Sequence, residues 1–359
     1  MNFSAFKNKR VFLTGHTGFK GSWLALWLHR LGADVYGYSL PPPTQPSNYA
    51  LSNVQALLSG EALGDIRDRA LMAKAFSDFK PDAVFHLAAQ PLVRESYNTP
   101  FATFETNVLG TASVLDAVRE LKKPCAVVCI TTDKCYENRE QVWGYRECDP
   151  MGGYDPYSAS KGAAEILIAS YRRSFFHPDR LAEHGVQLAS ARAGNVIGGG
   201  DWARDRIVTD MVAALVEGRP VPVRNPHAIR PWQHVLEPLS GYLTLVAAML
   251  EKPDAKWASA WNFGPVSGTE IPVGKLVSTF IKAWGAGTWV DQGSPGQPHE
   301  ASILRLSIEK AGWELGWQPR WTCEEMVRRT AHWYQQVLCK GADARAACED
   351  DLKVYGDEM

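Results

Sequence analysis

Val11-Phe12-Leu13-Thr14-Gly15-His16-Thr17-Gly18-Phe19-Lys20-Gly21 is the stretch whose reading decides the fold. It begins as the short apolar run that a strand buried on both faces needs. Three glycines spaced G-x-x-G-x-x-G then open an amphipathic segment, Ser22 to Leu31, which Gly32 closes. Glycine is wanted there because the chain turns sharply and its backbone must come close to a pyrophosphate. The free N–H groups of the helix N-terminus then meet that negative charge. Strand, glycine turn and helix in this order predict a dinucleotide site rather than a plain tight turn.

Working outward, Asp34-Val35-Tyr36-Gly37-Tyr38-Ser39 reads as the second strand. Its last residue is Ser39, where a dinucleotide fingerprint expects an acid for the adenosine ribose, and no arginine follows at once. NAD and NADP therefore both stay open at this position. Asp65, in Leu63-Gly64-Asp65-Ile66-Arg67-Asp68, can reach an adenine amino group or cap a helix beginning near Arg69. Ala83 to Gln90 is a buried strand followed by small residues, against which a ligand can lie flat; His86 within it reads as a satisfied core histidine. Thr103 to Leu121 reads as a long helix carrying Asn107, an amide able to order water or backbone nearby. Ala126 to Ile130 is a further buried strand that delivers Thr131-Thr132-Asp133-Lys134 at its carboxyl end, where open α/β sheets bind ligands. Alternating strands and helices predict a doubly wound, Rossmann-type α/β fold with right-handed crossovers.

About 25 residues later comes Tyr157-Ser158-Ala159-Ser160-Lys161. On a helix the tyrosine and lysine share one face, about one turn apart. A free tyrosine has a pKa of about 10 and is a poor base at neutral pH. A nearby ammonium favours the phenolate, and lowering the pKa by about 3 units takes roughly 4 kcal/mol, attainable for a partly buried pair. Alone, such a pair is an ordinary exposed helical couple. Its distance behind the glycine turn and the Thr132 segment makes it a catalytic candidate.

The 359-residue chain is long enough for one large domain or two modest ones. With 45% hydrophobic and 21% charged residues it has the composition of a soluble globular protein. A net charge of -1 gives no footprint for nucleic acid or an anionic membrane. Seven cysteines without a Cys-x-x-Cys pair indicate neither a disulfide framework nor a metal site, and reduced thiols in a cytoplasmic protein are expected. The polar start, Met1 to Arg10, predicts no signal peptide, and Leu239 to Leu250 is too short and interrupted to span a bilayer.

Taken together, Gly15/Gly18/Gly21, Leu87-Ala88-Ala89, Asn107, Thr132 and Tyr157 with Lys161 resemble the extended short-chain dehydrogenase/reductase family. Thr132-Asp133-Lys134 is similar to its nucleotide-sugar 4,6-dehydratases. The resemblance implies catalytic roles for Thr132, Asp133, Lys134, Tyr157 and Lys161. It implies NAD held by Gly15, Thr17, Gly18, Phe19, Lys20, Gly21, Asp65, Ile66, Leu87, Ala88, Ala89, Asn107, Tyr157 and Lys161. It also implies a nucleotide-sugar substrate held by Gln90, Asn195, Arg206, Arg230 and Asn262, and a homodimer or dimer of dimers built on the helices from about Thr103 and Tyr157. Most of these relatives carry glutamate where Lys134 stands, as the base at sugar carbon 5, so the identity of that base is open between Lys134 and an ordered water.

The expected division is a Rossmann domain over residues 1–189 with a return near 228–260, a smaller α+β substrate domain mainly over 190–340, and a loosely packed tail over 341–359. Arg206 and Arg230 suit phosphate oxygens by their guanidinium forks. Pro298-His299-Glu300 falls where the family has its last substrate loop, without an assigned role. Most of the 13 tryptophans are expected in the core.

Overall fold

The computed structural model describes residues 3–293 and 304–357, so Pro298-His299-Glu300 lies outside the described residues. Arg10–Thr14 (β1) runs into the glycine turn and the helix Phe19–Arg30 (α1), and Asp34–Ser39 (β2) follows as anticipated. Next come Gly60–Leu63 (β3), Arg69–Phe79 (α2) and Ala83–His86 (β4). A helical run of three segments, Pro100–Phe104, the π-turn Glu105–Leu109 and Gly110–Leu121 (together α3), precedes Cys125–Ile130 (β5). Pro156–Ser174 (α4) and Val186–Ala193 (β6) complete the first part.

The second part contributes Ile207–Val216 (α5), Leu236–Glu251 (α6), Ala260–Phe263 (β7), Val273–Trp284 (α7), Cys323–Tyr334 (α8) and Ala344–Asp357 (α9). Three short strand pairs join its loops.

All seven labelled strands form one parallel sheet in the order β7-β6-β5-β4-β1-β2-β3. Side chains alternate faces along each strand. Val11, Leu13, Phe85 and Val128 pack with α1 and α6, whereas Phe12, Val84, Val127 and Leu188 pack with α2, α3 and α4. Strand order reverses between β1 and β4, which opens a crevice at their carboxyl ends. No helix among the described residues is long and apolar enough to cross a membrane.

The expected loose tail is instead a packed helix. Cys348, Leu352 and Tyr355 of α9 are buried, and the Tyr355 hydroxyl donates to Glu237 Oε2 at 2.7 Å. Trp27 and Trp321 pack edge-on against the Tyr355 ring. The segment reads as polar because its apolar residues are few, but they fall on one face, and that face meets α1 and α6.

Candidate active site

The glycine turn is shaped by contacts that leave no room for a side chain. Gly15 has φ +78°, and a Cβ there would lie 2.7 Å from Ala88 N; one on Gly21 would lie 2.0 Å from Gly15 O. Gly18 caps α1, and Phe19, Lys20 and Gly21 of its first turn line a cavity of about 1570 Å³. That exceeds the ~300–1,000 Å³ usual for a single small ligand, so it has room for a dinucleotide and a second molecule. At the far end, the Thr17 hydroxyl donates to Leu40 O at 2.9 Å and sits 2.8 Å from Ser39 Oγ. Asp65 and Ile66 line the same end. Asp65 is gripped by Arg67, which holds its carboxyl below the usual range; the helix cap is Asp68, not Asp65.

Thr14 organises the crevice between β1 and β4. Its hydroxyl oxygen accepts from Leu87 N and Ala88 N, both at 3.1 Å, and lies 2.8 Å from His86 Nδ1. His86 Nε2 meets Thr111 Oγ1 at 3.0 Å, and burial pushes the imidazole down to about 3. It is the satisfied core histidine anticipated. Leu87, Ala88 and Ala89 then line the cavity.

Asn107 and Gln90 do not. The Asn107 amide donates to Gln90 O (3.1 Å) and Ser160 Oγ (2.8 Å) and accepts from Gln90 N (2.8 Å). Asn107 therefore orders backbone near the site, as one of its anticipated roles, and is not itself a cavity wall. The Gln90 side chain is spent on Thr103 Oγ1 and on the Leu92 backbone, which removes it as a substrate contact. A π-turn at 105–109 lets Asn107 point between the sheet and α4.

The chemistry-bearing residues meet at the end of β5. Thr131, Thr132, Asp133, Lys134, Tyr157 and Lys161 all line the cavity that the glycine turn opens. Asp155 caps α4 by accepting from Ser158 N at 2.9 Å, with Pro156 at the first helical position, which fixes where Tyr157 begins. The Tyr157 N–H donates to Ser96 Oγ at 3.1 Å. Lys161 Nζ donates to Ile130 O at 3.3 Å. Asp133 Oδ2 is buried without a hydrogen-bond partner and faces Gly194, where a Cβ would stand 3.2 Å away.

One electrostatic expectation is overturned. Burial pushes the Tyr157 phenol up to about 12; Thr132 and Arg206 work against this, and Asp133 and Asp155 add to it. Lys161 is itself pulled down to about 8 by burial, against Glu165 and the Cys129 and Cys135 thiols. The protein alone therefore does not hold a tyrosinate beside its lysine, because desolvation is the largest influence on both groups. Lys20 is likewise pulled to about 8, by burial and by repulsion from Arg206 and Lys161. Three cations sharing one wall make a site for anionic ligands.

On the substrate side, Asn195 lines the cavity with its buried Oδ1 unpartnered, and Arg230 lines it nearby. Arg206 also lines it, paired with Asp201 at 2.7 Å. Asn262 is excluded. It is fully buried, accepts from Tyr136 OH (2.8 Å) and donates to Tyr145 O (2.9 Å) and Ser307 O (3.1 Å), so its amide is saturated by protein. Two residues that motif reading missed, Glu165 and Arg192, form a buried ion pair behind β5 at 2.7 Å. The one sequence signal for Glu165 was its place one turn beyond Lys161 on the same face.

The bare glycine turn, the helix N-terminus on the wall and the unpartnered oxygens Asp133 Oδ2 and Asn195 Oδ1 fit a dinucleotide lying beside a polyhydroxylated ligand. A family model described as GDP-mannose 4,6 dehydratase matches residues 12–330. The chain belongs to this family. Among its relatives, the CDP-glucose 4,6-dehydratase of Salmonella typhimurium strain LT2 is 49% identical over 350 residues, covering 97% of this chain and 96% of the relative. A dTDP-glucose 4,6-dehydratase of Xanthomonas campestris pv. campestris is 27% identical, covering 90% of this chain and 92% of the relative. The fold is shared with the dTDP-glucose 4,6-dehydratase DesIV of Streptomyces venezuelae, solved with NAD and TYD bound, at TM-score 0.75 and 23% identity over 91% of this chain and 97% of that one. Family membership makes the protein a 4,6-dehydratase, a hydro-lyase. The stretches Gly15 to Trp23 and Thr131 to Tyr136 also resemble CDP-glucose 4,6-dehydratase.

Proposed function

We propose that the protein converts CDP-glucose to CDP-4-keto-6-deoxyglucose and water. The observation that carries the nucleotide choice is the 49% identity, running nearly end to end, with the Salmonella enzyme of that activity. The site's chemistry supports the reaction class. Water cannot leave carbons 5 and 6 of an unactivated hexose, because carbon 5 has no acidic proton; oxidising carbon 4 to a ketone creates one.

Gly15, Gly18, Gly21, Leu87, Ala88 and Ala89 would hold NAD along the floor of the cavity. When bound, NAD supplies the acceptor for the carbon-4 hydrogen, its donor back to carbon 6, and a positive charge that pulls the Tyr157 phenol down from about 12. Tyr157 takes the carbon-4 hydroxyl proton, and the Thr132 oxygen, its proton given to Asp133 Oδ1 in a hydrogen bond, accepts from a sugar hydroxyl. Lys161, on α4, anchors that helix to the end of β5 through Ile130 O. Lys134, as the neutral amine, removes the carbon-5 proton and becomes the ammonium; it lines the cavity next to Asp133. Asp133, through the bare Oδ2, gives its proton to the departing carbon-6 hydroxyl. Asn195, Arg206 and Arg230 hold the nucleotide part of the substrate.

We assign residues 1–189, with the return at 228–260, to cofactor binding and most of 190–340 to substrate. The product suits O-antigen-type deoxysugar assembly in the cytoplasm. Phe101, Leu109 and Ile166 are 76%, 59% and 63% exposed on α3 and α4, an apolar face that a second copy would cover in a homodimer. Assaying CDP-, dTDP-, GDP- and UDP-glucose for 4-keto product tests the reading. Turnover of CDP-glucose well above the others is expected, and a clear preference for another nucleotide would overturn it.

A further inference from the structure

We propose that Glu165 is a positioning residue, whose buried carboxylate fixes the Thr131–Asp133 segment and faces the Lys161 ammonium from one turn along α4. The inference deepens the dehydratase reading and rests on it. Glu165 does not line the cavity, yet it touches what does. Its Oε1 accepts from the Thr131 hydroxyl, and its Oε2 accepts from Ser190 Oγ at 2.8 Å and Arg192 NH2 at 2.7 Å. Arg192 in turn donates through NH1 to Tyr136 OH at 2.6 Å, with its guanidinium 4.9 Å from that ring centre. Thr131 and Tyr136 both face the cavity and bracket Thr132, Asp133 and Lys134. One carboxylate thus ties the end of β5 to β6 and to the helix that carries Tyr157 and Lys161.

A buried ion pair of this kind is weak evidence for stability, since an apolar pair of the same volume is often as stable or more so. Its specific effects are geometry and field. The groups facing Lys161 are Cys129 on β5, Cys135 beyond it, Glu165 on its own helix, His86 on β4 and Lys20 on α1. Among them Glu165 is the carboxylate. Arg192 and the hydroxyl donors hold it ionised although burial works against this. Glu165 therefore counteracts the desolvation that tends to discharge Lys161.

The test separates positioning from mere folding. Glu165→Gln leaves Arg192 buried without a counter-charge, so the double variant Glu165→Gln/Arg192→Met removes both charges, and Glu165→Asp retains the charge with a shorter reach. Three quantities are read: thermal midpoint, the Lys161 titration in ligand-free protein by NMR of lysine labelled with 13C at Cε (assigned with Lys161→Arg), and the pH profile of kcat/KM. In the double variant the midpoint is expected near that of the unmutated protein. Lys161 is expected to titrate at lower pH, the alkaline limb of kcat/KM to move down with it, and kcat/KM at neutral pH to fall about 100-fold, the size of an ångström-scale misplacement. Glu165→Asp should keep the Lys161 titration while kcat falls. A folded double variant with unchanged titration and kcat/KM would overturn the proposal; if the double variant does not fold, a Glu165→Asp protein with unchanged kcat does so. Failure of the unmutated protein to turn over CDP-glucose sinks the functional reading instead, while the ligand-free titration still decides the role of Glu165.

Discussion

Thr132 donates its hydroxyl to Oδ1 of the adjacent Asp133 at 2.9 Å, and this leaves Oδ2 bare in the cavity opposite Gly194. The pair divides the labour of one carboxyl group. One oxygen is held in place by the protein, and the other is free to meet the departing hydroxyl. Asp133→Asn should therefore leave carbon-4 oxidation standing and slow elimination by about 10²–10⁴-fold, the usual worth of a positioned acid. Nicotinamide absorbance in a single turnover should show the reduced cofactor accumulating; rapid return to the oxidised form would remove Asp133 from the scheme.

Tyr157→Phe keeps the ring on the cavity wall and removes the proton acceptor. Cofactor should stay bound through gel filtration, while oxidation at carbon 4 falls by about 10²-fold or more. Near-normal turnover in this variant would refute the assignment.

Lys20 illustrates stability yielded to function. Its folded pKa of about 8 lies below the unfolded value of 10.5, so its cost is fully present below pH 8 and is relieved as pH rises from 8 to 10.5. That cost is at most roughly 3 kcal/mol. Lys20→Met should raise the thermal midpoint at pH 7, less so at pH 10, and weaken NAD or substrate binding. A lower midpoint at pH 7 would contradict the assignment of Lys20 as a strained ligand-binding cation.

Asn262 joins β7 to the Tyr136 and Tyr145 loop. Asn262→Ala leaves buried partners unsatisfied and should cost about 1–3 kcal/mol each way it is measured by denaturation. KM for the nucleotide sugar should change little in the protein that remains folded. A large KM effect with unchanged stability would restore Asn262 as a substrate contact.

The α9 helix is structural. A chain ending at Lys340 loses the buried side chains of Cys348, Leu352 and Tyr355, and truncating one large core side chain already costs roughly 2–5 kcal/mol. Calorimetry should show a midpoint lowered by well over 5 °C. An unchanged midpoint would mean that the helix contributes no stability to the rest.

The fold was largely legible because its signals are local. β2 spans Asp34–Ser39 as its pattern indicated, Gly32 ends α1 with φ +77°, and β5 delivers Thr131 to Lys134 where expected. The gathering of Thr132, Tyr157 and Lys161 on one cavity with the glycine turn also followed from order and spacing along alternating strands and helices.

What the sequence could not contain is which polar groups protein partners use up, and what burial does to charge. Asn107, Gln90 and Asn262 had the right chemistry for ligands, but other protein groups, near and far along the chain, occupy their amides. Tyr157 and Lys161 were placed together correctly. Only the tertiary structure decided that the phenol rises to about 12 while the ammonium drops to about 8. Periodicity and turn chemistry depend on neighbours along the chain, so the sequence alone determined strands, turn and motif. Desolvation depends on every atom packed around a charge, and that set exists only once the chain has folded.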